Sequence, residues 1–133
     1  MTKQQDFSMW SVNFILFCLA NFLYYGAFYL YIPVLPQYVE MLGGTPADIG
    51  LVGGAFGLSS FIIRPYLGKL ANEWGRKRMM LLGAISFALL FLLFGRVTGV
   101  VPLVVLRLAH GVCLAMYLAA SAAYIADYAP VDR

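Results

Sequence analysis

Long uncharged stretches alternate with short charged ones along this chain. No charged residue occurs from Trp10 to Ile32, from Ile49 to Ile63 or from Met79 to Gly95, and Pro102 to Ala126 carries only Arg107. A helix needs about 20 mostly apolar residues to cross a bilayer. The second stretch reaches that length when it runs on to Leu67. The pattern therefore predicts spans over about 10–32, 48–67, 79–95 and 102–126. The period-two alternation of barrel strands is missing, and only helices satisfy their own backbone in lipid without closing a barrel. The expected fold is an all-α membrane protein with four transmembrane helices.

Composition agrees. Of the 133 residues, 62% are hydrophobic and 11% charged, against roughly 45–50% and about 25% in soluble domains. The mean hydropathy is +0.83. One core could not hide so much apolar surface, so lipid covers the rest. The first stretch is too long for a cleaved signal peptide and ends in Pro33-Val34-Leu35-Pro36, so it is taken as a span.

Charge sets the orientation. Arg64, Lys69, Arg76, Lys77 and Arg78 cluster after the second span, whereas the loop after the first holds Glu40 and Asp48 and no Lys or Arg. The positive-inside rule places the amino terminus and the Lys69–Arg78 loop in the cytoplasm, in a multi-pass protein of the cell (inner) membrane. The net charge of +3 is then a topology signal and not a nucleic-acid footprint.

Candidate chemistry is sparse. Cys18 and Cys113 each fall inside a span and read as small packing residues. With one His they offer no metal-ligand spacing. No phosphate-binding glycine loop, nucleophile elbow or hydrolytic acid pair is present, so neither an enzyme nor a cofactor is expected.

Two spans carry polar stripes. In the first, Asn13, Phe17, Asn21, Tyr24, Phe28 and Tyr31 fall within an arc of about 80°. An Asn facing lipid leaves its amide unpaired, so this side should meet other helices or a substrate cavity. In the fourth, Arg107, His110, Tyr117, Ser121 and Tyr124 fall within about 100°. An intramembrane Arg usually faces a partner or a wet cavity, although snorkelling to the outer headgroups is within its reach. Gly111, Ala115, Ala119 and Ala123 form a neighbouring small-residue ridge. The second span opens with Thr45-Pro46-Ala47-Asp48, a cap, a first-turn Pro and an acid suited to the helix dipole. Gly50 with Gly54, and Gly53 with Gly57, are spaced for close helix contact.

The segment Gly68-Lys69-Leu70-Ala71-Asn72-Glu73-Trp74-Gly75-Arg76-Lys77-Arg78 resembles the signature loop between helices two and three of the major facilitator superfamily. Gly68, Leu70, Ala71, Gly75, Arg76 and Lys77 match. Arg107-Leu108-Ala109-His110-Gly111 looks like that family's fourth-helix motif, with His in the place of Gln. Pro33-Val34-Leu35-Pro36 is similar to its drug–proton antiporter branch, and Ala126 to Arg133 resembles its exit from helix four. The resemblance implies helices one to four of a twelve-helix secondary transporter that rocks two halves about a central site. It implies efflux of small organic molecules, with a proton as one candidate coupling ion. Gly68 and Gly75 would permit tight turns, with Leu70 and Asn72 in the same bracing loop and Arg76 and Lys77 supplying charge contacts. Arg107, His110 and Gly111, with the polar stripe residues Asn21, Tyr24, Tyr117 and Ser121, would line a substrate or proton pathway.

Asn72 stands where the family has an acid, which implies a weaker contact with the other half. The first span also lacks the acid that antiporters of this branch often carry. Ending at Arg133, the chain is expected to be an incomplete amino-terminal segment whose partner is the carboxy-terminal half. The competing expectation is a self-contained four-helix protein, either a dimeric small exporter or an assembly subunit.

Overall fold

The computed structural model describes residues 12–128. Five helices follow one another: α1 Val12–Tyr31, α2 Val34–Met41, α3 Pro46–Trp74, α4 Arg76–Leu93 and α5 Val100–Tyr128, with a 3-10 turn at Phe94–Arg96 between the last two. Four of the helical segments are long and apolar enough to cross a membrane. Trp10, the expected start of the first span, lies outside the described residues.

α2 is the element that hydropathy missed. Pro33 caps it and Pro36 lies in its first turn, where the missing N–H has no intrahelical partner to lose. Leu35 and Val39 point inward to Val52, Phe94, Leu103 and Leu106. The Tyr38 hydroxyl donates to the Phe94 carbonyl at the end of α4. Gly43 leaves the helix at φ +79°, a conformation costly for other residues. Thr45 then starts α3 with the expected cap: its N–H donates to Asp48 Oδ2 at 2.7 Å and its hydroxyl at 2.8 Å.

The expected long loop after the second span is a correction. α3 continues through Trp74, so Gly68, Leu70 and Asn72 are helical and only Gly75 interrupts the chain before α4. Lys69 to Trp74 contains no residue that breaks a helix, and propensity carries the helix past the lipid. Gly75, at φ +88°, makes the turn; Gly68 makes none.

α5 is the centre. It packs along α3 and α4 over most of its length, burying Leu103, Leu106, Cys113, Leu114, Ala115, Tyr117 and Ala120. The close approaches are made by glycines other than the four spaced on α3. A Cβ on Gly83 of α4 would lie 3.0 Å from the Tyr117 nitrogen, and one on Gly111 of α5 would run into the Phe56 carbonyl and the Ser59 hydroxyl of α3. Gly50, Gly53, Gly54 and Gly57 meet nothing within 4 Å among the described residues. All four are exposed, whereas Val52, Ala55 and Ser60 of the same helix are buried.

α1 is attached differently. Its one buried residue is Phe28, and aromatic rings bridge it to the other helices. Phe22 and Leu30 are 74% and 76% exposed; such faces belong in lipid and not in water.

Candidate functional site

The two polar stripes face each other. Phe17 of α1 meets Tyr124 of α5 with ring centres 4.9 Å apart. Tyr24 stacks on Tyr117 at 4.0 Å and an interplanar angle of 15°. Phe28 lies against Phe56 and Phe87, and Tyr31 against Phe91 and Phe94. The α1 stripe therefore faces helices.

Arg107 stands toward the α5 N-terminal end of this seam, seven residues into α5, or about 10 Å of helix rise. It does not snorkel: the residue is 4% exposed. Its Nε–H donates to the Val52 carbonyl of α3 at 3.3 Å, using a lone pair that a helical carbonyl keeps spare. The guanidinium carbon lies 4.3 Å from the Phe56 ring centre and 5.8 Å from that of Tyr31. Ring faces and a carbonyl thus offset part of the cost of burying the charge.

His110, one turn further in, is 1% exposed. Its Nε2 lies 3.2 Å from the Phe87 carbonyl of α4. A carbonyl only accepts, so Nε2 carries a proton, and in the neutral ring Nδ1 then presents a lone pair. Phe87 and Phe94 enclose the ring at 4.5 and 5.0 Å. The Nδ1 atom and the hydroxyls of Tyr24, Tyr31 and Tyr117 are buried without a hydrogen-bond partner among the described residues. Four unsatisfied polar atoms along one seam are costly unless water or another group meets them.

Two further stripe residues bond locally. Asn21 donates to the Phe17 carbonyl at 2.9 Å, and the Ser121 hydroxyl to that of Leu118 at 3.1 Å. Gly111 serves the crossing with α3. Among the described residues no three His, Cys, Asp or Glu gather in a metal-binding group, and both cysteines are free thiols.

The signature segment lies at the other end of the bundle. Asn72 and Lys77 are exposed and Leu70 is half-buried. Arg76 Nη1 donates to the Ala123 carbonyl at 2.6 Å, tying the start of α4 to the last turns of α5. The acceptors Val52, Phe87 and Ala123 were invisible in the sequence because a backbone carbonyl has no residue signature. Phe56 beneath Arg107 gave no signal beyond its apolarity.

Comparison with known proteins now adds the family. The model of the Major Facilitator Superfamily matches residues 17–133. The chain is 35% identical over 98 residues to Multidrug resistance protein 2 of Bacillus subtilis, covering 74% of this chain and 24% of that protein. It is 37% identical over 101 residues to the Quinolone resistance protein NorA of Staphylococcus aureus, covering 76% of this chain and 26% of that protein. The matched part thus spans about a quarter of the length of these curated relatives. On the matched signature segment, the fourth-helix motif and the four-helix architecture, the chain belongs to the Major Facilitator Superfamily.

Proposed function

We propose that this chain supplies the first four membrane helices of a secondary transporter that exports small organic molecules by alternating access. The observation that carries the reading is Arg107. A buried cation that faces a seam of unsatisfied hydroxyls is expensive to keep and is expected where a polar solute or a proton passes. The names of the relatives point to drugs as the solutes, quinolones among them. The proposed coupling ion is the proton, carried with acids on helices beyond this segment. Tyr24 and Tyr117 would offer ring faces and hydroxyls to an amphipathic solute. The amino terminus and the Lys69–Arg78 segment face the cytoplasm of a cell (inner) membrane protein, following the Lys and Arg bias. There the helical Gly68–Trp74 segment, Gly75, Arg76 and Lys77 would brace the other half of the transporter, their partner in the conformational cycle.

The test is transport by the full-length protein in proteoliposomes, with a quinolone followed by its own fluorescence, with and without a pH gradient. Gradient-dependent accumulation is expected, and Arg107→Ala should lower it about tenfold, the worth of one charge-assisted contact. Wild-type rates in that variant would remove Arg107 from the mechanism.

A further inference from the structure

Tyr24 and Tyr117 meet well inside two membrane spans. Their rings lie nearly parallel, 15° apart in plane and 4.0 Å between centres. Phe87 packs against Tyr24 at 5.1 Å, and Tyr25 meets both tyrosines edge-on. A buried tyrosine usually pairs its hydroxyl. Neither of these two does so among the described residues. Both oxygens are closed to contact from outside, and further protein can only bury them more deeply. Helices beyond the described residues therefore cannot reach them while the stack keeps this form. The pair thus holds two unpaired polar atoms, a cost that two phenylalanines would avoid. Among the described residues, ring contact alone holds each side chain, so the two can part without breaking a hydrogen bond. The crossings of α5 with α3 and α4 differ, because Gly111 and Gly83 set backbone against backbone there.

We propose, resting on the transporter reading above, that the Tyr24–Tyr117 stack is the closed form of a slot for a flat aromatic solute with polar groups on its edge. The solute enters between the two rings and lies against a face of each. One stacked contact is thereby exchanged for two. The polar edge of the solute gives the Tyr24 and Tyr117 hydroxyls the partners they lack in the closed form, since a phenol both donates and accepts. Flatness is the selected property, because a puckered, saturated ring cannot lie flush on two parallel faces. The unpaired hydroxyls are then a binding device kept at the expense of stability.

The probe is acridone, a flat three-ring ketone with an N–H opposite its carbonyl. Its fluorescence anisotropy reads binding to the full-length protein in detergent. Tyr24→Phe and Tyr117→Phe should each weaken binding about fivefold, the worth of one neutral hydrogen bond. Each should also raise the thermal midpoint of the solute-free protein by about 1–3 °C, because an unpaired buried hydroxyl is gone. Tyr24→Leu removes a ring face and should weaken binding about tenfold. A purely structural pair would lose affinity and stability together, so the opposed signs are the signature of the slot. An unchanged or lower midpoint in either phenylalanine variant would overturn the proposal, since its hydroxyl would then be paired without solute. Unchanged affinity in both phenylalanine variants would overturn it too. Export of acridone from proteoliposomes by the wild type separates the two readings. Export with unchanged affinity in the variants sinks the slot alone, whereas neither binding nor export sinks the transporter reading with it.

Discussion

Single residues decide how closely these helices approach. Gly111 faces the Phe56 carbonyl, a backbone atom that cannot swing aside, and Gly83 faces the backbone of Cys113 and Tyr117. An added methyl at either position must move a helix. Gly111→Ala should therefore destabilise the bundle by about 1–3 kcal/mol, the usual range for overpacking. Gly57→Ala meets no atom of the described residues and should cost this four-helix segment nothing, with a gain of up to about 1 kcal/mol from helix propensity. Thermal unfolding in detergent compares the two; equal effects would refute the assignment of the crossing to Gly111. Spacing marked Gly111, in its ridge with Ala115, Ala119 and Ala123, but gave no sign of Gly83. Gly50, Gly53, Gly54 and Gly57 satisfy the four-residue rule, but that rule does not say which face of a helix meets a neighbour. Arg107 was found by its charge in an apolar run, and its direction was not. Only the place of Val52 and Phe56 on the next helix settles that it turns inward.

The membrane-crossing elements were legible because lipid imposes a long apolar run that has few other uses. The short ones were not. α2 has eight residues, two prolines at its start and a charge near its end, a composition that also suits an extended loop. It holds its place through Leu35, Val39 and the Tyr38 hydroxyl, all tertiary contacts. Tyr38→Phe keeps the ring and deletes the bond to the Phe94 carbonyl. The expected loss is about 1 kcal/mol, the net worth of one such bond. Amide exchange around the 3-10 turn at Phe94–Arg96 should accelerate while exchange in the buried part of α5 stays the same. No change at that turn would mean that packing of Leu35 and Val39 alone holds α2. The passage from α3 to α4 is the opposite case. Its charges marked it as a loop, yet helix propensity continues through Trp74, and Gly75 alone turns the chain.

For the whole molecule, the family was visible in the signature segment, while the consequence of its one departure depends on where Asn72 ends up. It lies exposed on the last turn of α3, where its side chain can meet a partner beyond these four helices. If the segment braces the two halves when the transporter opens outward, Asn72 supplies a neutral hydrogen bond in place of a charge-assisted one, which is roughly twice as strong. Glu73 does not replace it, because a neighbour on a helix points about 100° away. The difference is about 1 kcal/mol. Asn72→Asp in the full-length protein should then enlarge the outward-facing population about fivefold. Spin-label distances across the cytoplasmic side measure that population directly. The shift should appear without any change in thermal stability, because Asn72 is exposed. An unaltered distance distribution would mean that the side chain at this position carries no part of the brace, and that Arg76, tied to Ala123, bears it instead.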